Sequence, residues 1–342
     1  MTRLSLTPAI LLLTAALLGG VLLSAVVGAA GLSPAEVLAA VTARLGLADF
    51  EPGRDFPPWA PSLLWDVRLP RIAMALVVGA ALATAGATFQ GIFRNPLAEP
   101  YLLGVSAGAG VGATIAIIWS PLAALGIYGQ PATAFLGAVL AAFLVYRLAT
   151  FSGKTSAASL LLAGVAVGST FTAVMSLLMI IREYDLRTVV VWLMGGLTTS
   201  AWSKIAIAGP VVLLGFVYMM ANAERLNLLL MGEERAFELG VDGERTRRSL
   251  LTAGALTTAS AVAFSGLIGF VGLMVPHMVR LVMGPDHRRL LPLSALFGAL
   301  FLLAADTAAR TLFAPAEIPV GIITAFVGGP FFLYLLRLQK GI

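Results

Sequence analysis

The stretch IAMALVVGAALATAGATFQGIF, residues 72–93, decides the fold class of this chain. It holds 22 consecutive residues without a charged side chain. At about 1.5 Å of rise per residue, a helix of this length crosses the roughly 30 Å hydrocarbon core of a bilayer. Its side chains lack the two-residue alternation that a strand of a membrane barrel requires. We therefore predict a transmembrane helix here.

Nine further runs share this character, and together they predict an all-α polytopic membrane protein with about ten transmembrane helices. Hydrophobic residues make up 59% of the sequence and charged residues 11%, whereas soluble domains carry about 25% charged residues. Because most connections are short, we expect one transmembrane domain over residues 1–342. The other runs are 8–30, 101–119, 127–149, 159–181, 188–221 (broken near 198–204), 249–265, 267–283, 290–309 and 318–337.

The basic residues predict how the chain is oriented. Fourteen of the 22 Lys and Arg residues fall on the side that holds both termini, and eight fall on the other side. Cytoplasmic loops carry an excess of Lys and Arg, so both termini are expected in the cytoplasm. Residues 31–71 then form an external loop region, with a proline- and aromatic-rich stretch at 51–62. Residues 222–248 form a cytoplasmic segment.

The residues needed for catalysis are scarce. The sequence has no cysteine, and its two histidines, His277 and His287, do not stand in a metal-binding motif. The stretch SGKTS at 152–156 ends like a phosphate-binding loop, but Leu148 occupies the position of the required first glycine. We therefore expect no catalytic residue, no metal site, no ATP hydrolysis by this chain and no nucleic-acid partner.

Ionisable residues are also scarce inside the predicted helices. An ionisable residue at the centre of a membrane helix costs at least about 2.5–3.5 kcal/mol and marks function. Asp306 and Arg310, spaced i and i+4, are expected to pair with each other. A carrier driven by protons or sodium needs carboxylates along its path, so the energy for transport must enter elsewhere. A secondary carrier or channel remains the alternative, and deletion of residues 232–247 would discriminate the two.

Glycines recur at four-residue spacing in two of the runs. Gly104, Gly108 and Gly112 form one series, and Gly164 and Gly168 form another. Small residues let membrane helices approach closely, which predicts tight packing. A smooth wall along which a large solute passes is the other interpretation, and the two are compatible.

Charges gather in MGEERAFELGVDGERTRR, residues 231–248, where nine of eighteen residues are charged. Ala236, Phe237 and Leu239–Gly240 interrupt the charges and predict a short helix with a small apolar ridge. The segment is either a solvated loop or a contact with a partner. On the external side, Arg68 and Arg71 either snorkel to the membrane interface or bind an acidic partner.

Several stretches resemble the permease subunit of type II ABC importers, a family that takes up iron–siderophore complexes, haem and cobalamin. The resemblance covers most of the chain from about residue 66 to 337, and its motifs are long and ordered. They are RLPRIAMALVVGAALATAGATFQGIFRNPLAEPYLLGVSAGAGVGA (68–113), LLLAGVAVG (160–168), WLMGGL (192–197), GEERAFELGV (232–241), GFVGLMVPHMVRLVMGPDHRRLLP (269–292) and PAEIPVGIITAFVGGPFF (315–332).

The resemblance implies the type II ABC importer permease fold, a homodimer in the lipid of a bacterial or archaeal cytoplasmic membrane. It also implies two cytoplasmic ATP-binding-cassette subunits and one periplasmic or lipid-anchored substrate-binding protein. The partner ATPase would use ATP and Mg, and this chain would bind no cofactor. The expected cargo is an iron complex, either a ferric siderophore or haem, with cobalamin as the alternative.

The resemblance also implies roles for particular residues. The external residues Arg68, Arg71 and Arg310 would dock the binding protein. The stretch TSAAS at 155–159 would hold the cytoplasmic gate, although relatives can carry Thr-Ser where this chain has Ala157 and Ala158; Ser159 completes the gate. Asn95 and Pro96 join the glycines above as residues of helix packing or of the path. Contact with the ATPase is expected from Glu233, Glu234, Ala236, Phe237, Leu239, Gly240 and Val241.

Overall fold

The computed structural model of the protein describes residues 5–28, 30–47, 57–151 and 154–339. Its first half contains helices α1 (Leu6–Val26), α2 (Pro34–Arg44), α3 (Ala60–Ser62), α4 (Leu69–Ile92), α5 (Val105–Trp119), α6 (Gly129–Ala149) and α7 (Ala157–Ile181). A π-helical turn, Leu63–Arg68, joins α3 to α4, and 3-10 turns cover Pro100–Leu103 and Ala123–Tyr128. A small antiparallel hairpin precedes α7. It consists of two strands of two residues each, β1 (Thr150–Phe151) and β2 (Lys154–Thr155).

From residue 183 onward, every secondary-structure element among the described residues is a helix or a helical turn. A 3-10 turn, Glu183–Asp185, comes first. The helices are α8 (Leu186–Leu193), α9 (Trp202–Ala221), α10 (Ala223–Leu230), α11 (Glu233–Glu238), α12 (Gly243–Ser265), α13 (Val271–Met283), α14 (His287–Thr311) and α15 (Val320–Gln339).

The predicted all-α architecture is confirmed, and each of the ten apolar runs falls on helical structure. The broken sixth run corresponds to α8 and α9, which are separated by eight non-helical residues at 194–201. Among the described residues, six helices are long and apolar enough to cross a membrane by length and composition. They begin at Leu6, Ala60, Ala123, Ala157, Trp202 and His287.

Helices α5 and α13 are shorter than a bilayer is thick, with 15 and 13 residues. Non-helical backbone precedes each, at 93–99 and 266–270. The hydroxyl of Tyr101, in the 3-10 turn that follows residues 93–99, contacts the second stretch: it donates to the carbonyl of Ile268 and accepts from its amide at 2.9 and 3.1 Å. Irregular backbone at membrane depth is tolerated where protein surrounds it. The two short helices therefore support each other through their non-helical ends.

The breaks after α8, after α12 and before α15 meet at one place. The amide of Gly196 donates to the carbonyl of Ser265 at 2.8 Å. A methyl group on Gly195 would overlap the carbonyl oxygen of Leu267, and one on Gly321 would overlap that of Met194. Only glycine allows three backbones to approach this closely, and Gly195 also has a positive φ of 71°.

Helix α4 lies at the centre of the domain. It is part of the continuous helical stretch Ala60–Ile92, and 78% of the residues in the apolar part of that stretch are buried. It crosses α14 where Gly79 meets Gly298, and it crosses α13 where Gly86 meets Gly272. Without a hydrophobic force between helices in lipid, such close backbone approach supplies much of the packing energy. The helix that decided the fold class is thus the one around which the others pack.

Residues 31–71, predicted to form an external loop region, contain helical segments. A helix, α2, occupies Pro34–Arg44 and begins with a capping box between Ser33 and Glu36. The chain is helical again from Ala60 and continues without interruption into α4. Pro61 of the proline-rich stretch stands in the first turn of this helix, where proline lacks no needed hydrogen bond. Residues 51–56 of the proline-rich stretch lie outside the described residues.

We expect Gly86→Val to destabilise the domain severely. A side chain at this position would overlap the carbonyl oxygen of Gly272, so α4 and α13 must separate. Overpacking of this kind lowers the free energy of unfolding by about 3 kcal/mol. Thermal unfolding in detergent measures the loss. Gly19→Val, on α1 with no atom within 4 Å of the added carbon, is the matched control and should unfold near the wild-type temperature.

Candidate functional site

Helix α11, here called the coupling helix because the resemblance implies contact with the ATPase, stands between two glycines with positive φ. Gly232 has a φ of 122° and Gly240 a φ of 79°, conformations that residues with a side chain rarely adopt. The chain therefore turns sharply on both sides of six helical residues. As a result α11 projects as a separate short element between α10 and α12.

The predicted apolar ridge divides into an exposed part and a buried part. Phe237 and Leu239 are 77% and 61% exposed. Ala236 and Val241 are instead buried, and they pack against Leu229 of α10. Contact of Ala236 and Val241 with a partner stays a prediction; within this chain their side chains attach the coupling helix to α10. Glu234 and Gly240 are exposed beside Phe237 and Leu239.

An ion-pair network holds the coupling helix to α12. Arg247 donates to Glu233 of α11, and to Glu244 one turn before it at 3.1 Å. Glu244 in turn lies 3.5 Å from the hydroxyl of Tyr146 on α6. Three helices are thus joined by contiguous polar contacts on this side of the domain.

The predicted gate residues lie next to this network. Ala157, Ala158 and Ser159 form the first turn of α7, where the hydroxyl of Ser156 accepts from the amide of Ser159 at 3.0 Å. A cavity of about 380 Å³, here called the gate cavity, separates this turn from the coupling helix. Its lining consists of Ile92, Phe93, Arg94, Ser156, Ala157, Ser159, Leu160, Glu233 and Arg247. The structure therefore brings residues of the two predicted sites to one cavity.

The glycines predicted for packing or for the path have different surroundings. Gly108 and Gly112 lie against the backbone of α6, and Gly164 lies against the carbonyl of Leu102. Gly104 has a positive φ of 72° and starts α5. Gly168 has no atom within 4 Å of an added carbon, so it borders open space. Asn95 and Pro96 are exposed in the turn after α4, where the Asn95 side chain accepts from the amide of Leu97.

A polar stripe on α7 was missed in the sequence. Ser169, Thr172 and Ser176 are exposed and share one face of the helix with Gly168. They border an open depression of about 580 Å³, whose lining also includes Gly164, Val165 and Ala173. Their i, i+3, i+7 spacing was the available signal. It places three hydroxyl side chains on one face of α7.

The arginines predicted to dock a binding protein are buried, and each is engaged within the chain. Arg68 donates to the carbonyls of Ala25, Val26 and Ala30, where α1 ends. Cations near a helix C-terminus are stabilised by its carbonyl groups. This guanidinium therefore closes the end of α1 instead of facing solvent.

Arg71 and Arg310 surround the carboxylate of Asp306. The Nε of Arg71 donates to both carboxylate oxygens at 3.0 and 2.9 Å, and its Nη1 donates to Glu317 at 2.8 Å. Arg310 donates to the carbonyl and hydroxyl of Ser24. The expected pairing of Asp306 with Arg310 is a longer contact of 4.0 Å.

Docking of a binding protein by Arg68, Arg71 and Arg310 stays a prediction, and the geometry gives these residues a role within the chain as well. All three side chains are buried, with their hydrogen bonds directed to α1, α14 and the segment before α15. Burial requires partners for a guanidinium, and the chain supplies them for all three residues except at the Nε of Arg310, which lies 4.0 Å from Asp306 and makes no hydrogen bond. The three residues fasten the external ends of these helices together.

Contacts at the two ends of α4 involve different sets of residues. Arg71, Asp306 and Ser24 meet at one end; Arg71 was predicted to be external, and Ser24 and Asp306 lie in the predicted transmembrane runs 8–30 and 290–309, near the ends that lead to that side. At the other end Arg94 donates to the carbonyl of Leu229, and Asn227 donates to Asp286 at 2.6 Å. These residues were all predicted to be cytoplasmic. The sequence-based division of the loops into two sides therefore agrees with the contacts.

The two histidines occupy packed positions. His277 lies edge-on to Phe331 and Phe332 at 6.2 and 6.0 Å between ring centroids. The Nδ1 of His287 lies 2.9 Å from the side-chain oxygen of Asn227. Burial alone raises the pKa of the neighbouring Asp286, but hydrogen bonds from Asn227 and Arg288 outweigh burial and lower it. Within the described ranges, no group of three His, Cys, Asp or Glu residues is placed to hold a metal ion.

Comparisons with known proteins agree with this architecture. Residues 15–338 match the model of the FecCD transport family. The chain is 53% identical to the cobalamin import system permease protein BtuC of Halobacterium salinarum, over 82% of this chain and 75% of that protein. It is 43% identical to the hemin transport system permease protein HmuU of Yersinia pestis, over 81% and 84%. A solved inward-facing metal-chelate type ABC transporter superposes with a TM-score of 0.83 at 35% identity, covering 96% of this chain and 98% of that one.

Proposed function

The chain belongs to the FecCD transport family, and from this membership we propose that it is the permease subunit of an ATP-driven importer for a bulky metal chelate. The membership confirms the resemblance drawn from the motifs. In the proposal, a substrate-binding protein delivers the chelate on the external side, and two separate ATPase subunits supply energy on the cytoplasmic side. This chain itself has no catalytic role.

The polar stripe on α7 carries this proposal. The exposed side chains of Ser169, Thr172 and Ser176 lie along α7. Only 11% of the residues in the apolar part of this helix are buried within the chain. A face of small hydroxyl side chains and Gly168 offers weak hydrogen bonds and little steric resistance. These properties suit the passage of a large solute that should not bind tightly.

The openness of the stripe supports a homodimer. One chain presents the depression beside α7 as an open groove, and a second copy related by a two-fold axis would close it into a central path. The same helix would then contribute the wall from both subunits. The proposed orientation, with both termini in the cytoplasm, follows from the distribution of Lys and Arg.

The contact with the ATPase is proposed for the exposed part of the coupling segment. Phe237 and Leu239 form a small apolar surface, with Glu234 beside it, on an element that projects between two glycines. Aromatic side chains such as phenylalanine are enriched at the cores of protein interfaces. In this account Ala236 and Val241 contribute indirectly, because they fix the coupling helix to α10.

The identity values guide the choice of cargo. A relative named for cobalamin is 53% identical and one named for hemin is 43% identical. We therefore test cobalamin first and the ferric siderophores and haem, which the sequence analysis favoured, beside it. The chelator already satisfies the metal, so the path needs no ligating residue.

The decisive measurement is uptake into proteoliposomes that contain the chain, its ATPase and its binding protein. The proposal predicts ATP-dependent uptake of one member of a panel of cobalamin, haem and ferric siderophores. Uptake that is indifferent to ATP or to the ATPase would favour a secondary carrier. The buried pairing of Asp306 with Arg71 argues against that alternative, because it removes a carboxylate from ion coupling.

We expect Thr172→Trp to reduce this uptake at least about tenfold. An indole at the middle of the stripe would narrow the path from both subunits of the dimer, and a steric barrier of about 1.4 kcal/mol corresponds to a factor of ten in rate. The hydrolysis rate and the thermal stability should stay near wild type. Val174→Trp, about 200° around the same helix, is the matched control. Equal uptake by both variants would remove α7 from the path.

A further inference from the structure

Two separate attachments connect the coupling helix to the rest of the domain. The first is apolar, with Ala236 and Val241 packed on Leu229 of α10. The second is ionic, with Glu233 paired to Arg247 of α12. Beside the backbone that joins α11 to α10 and α12, these attachments are side-chain contacts through which movement of the coupling helix can reach the membrane helices.

The ionic attachment extends beyond one pair. The Arg247 side chain is only 13% exposed and contacts Glu233 and Glu244 at once. Glu244 lies within 3.5 Å of the Tyr146 hydroxyl, which adds α6 to the network. A planar guanidinium holds two carboxylates in fixed directions, which a flexible ammonium group does not. The arrangement therefore links the orientation of α11 to that of α12 and α6.

The network is poorly suited to a purely stabilising role. The Glu233 side chain is 64% exposed, and ion pairs with an exposed partner add little to stability because water screens them. Its position is more informative than its strength. Glu233 and Arg247 face the gate cavity, across which lies the first turn of α7. A displacement of α11 that carries Arg247 with it changes the wall opposite the gate.

We propose that Arg247 is a positioning residue that transmits movement of the coupling helix to α12 and α6, and thereby to the gate cavity. This inference rests on the proposed function, since it requires that an ATPase displaces α11. In the proposed order of events, the ATPase first displaces Phe237 and Leu239, and Glu233 moves with them. Arg247 follows Glu233, and the gate cavity changes shape beside Ala157 and Ser159.

The test is Arg247→Gln in the reconstituted importer, with uptake and ATP hydrolysis measured on the same preparation. We expect the number of chelate molecules taken up per ATP hydrolysed to fall at least about fivefold, the lower end of typical coupling between two sites. Co-purification of the ATPase and the thermal stability should remain near wild type. Arg247→Lys should recover only part of the ratio, because it keeps the charge and loses the planar fork.

Arg245→Gln and Arg248→Gln are the matched controls, because both side chains are exposed on the same helix. They change the net charge equally and should leave the ratio unchanged. Glu233→Gln should lower the ratio as Arg247→Gln does, and the double variant should be no worse than either single one. Additive losses, a ratio equal to that of the controls, or a loss explained by failed ATPase binding would overturn the inference.

The wild-type preparation separates this inference from the proposed function. If wild-type uptake does not depend on ATP, the proposed function fails and the inference fails with it. If wild-type uptake depends on ATP and Arg247→Gln keeps the normal ratio, only the role of Arg247 is rejected.

Discussion

Asp306→Asn is expected to lower the free energy of unfolding by about 3–5 kcal/mol, as breaking one partner of a buried ion pair does. The Asp306 side chain is 1% exposed and receives two hydrogen bonds from Arg71, with Arg310 nearby. Its loss leaves two buried guanidinium groups near a neutral amide. The external ends of α4 and α14 should then separate. Thermal and denaturant unfolding in detergent would measure the effect.

Glu317→Gln is the matched control for this prediction. Glu317 pairs with the same arginine, but its side chain is 41% exposed, so the loss should be at most about 1 kcal/mol. In the Asp306→Asn background, Arg71→Met should restore part of the lost stability, because it removes one of the uncompensated charges. If Asp306→Asn is no less stable than Glu317→Gln, the cluster does not hold these helices together.

Replacing both Phe237 and Leu239 with aspartate is expected to abolish ATP-driven uptake. Both side chains are exposed in this chain, so the fold should tolerate the change. Loss of a central apolar anchor weakens a protein interface by about 2 kcal/mol or more, roughly a thirtyfold rise in the dissociation constant. Co-purification with the ATPase subunit and uptake in proteoliposomes should both decline, while the unfolding temperature stays unchanged.

Leu45→Asp with Leu47→Asp provides a control with the same change of charge and hydrophobicity. These two leucines are also exposed, but they follow α2 on the side predicted to be external. Their replacement should leave ATPase binding unchanged. If the control variant loses the ATPase as well, or if the Phe237 and Leu239 variant keeps it, the coupling helix is not the contact.

These point substitutions test coupling more specifically than the deletion of residues 232–247 that was suggested by the sequence analysis. Asp242 accepts a hydrogen bond from the amide of Arg245 and caps α12, and Thr246 is buried one turn later. Deletion would remove the start of a helix that packs on α4, α6 and α9. Loss of uptake in such a variant would not separate coupling from misfolding.

Part of the candidate site could be predicted from local sequence. The charged segment at 231–248 and the turn at 155–159 were both identified, and each begins or ends a helix near the predicted cytoplasmic side. Their meeting at one cavity could not be predicted, because Ser156 and Glu233 are far apart in the chain. The split of the apolar ridge also depended on α10, whose Leu229 decides which face of α11 is buried.

The hydropathy of the sequence by itself determined where the long helices lie. Lipid acts as a uniform apolar solvent, so each span is selected by its own residues, and runs such as 72–93 and 159–181 appear as α4 and α7. Only the tertiary structure decided what the arginines do. Arg71 and Asp306 are separated by 235 positions, and their pairing follows from the crossing of α4 and α14. A buried charge takes whatever partner the packing provides, and no local pattern names that partner.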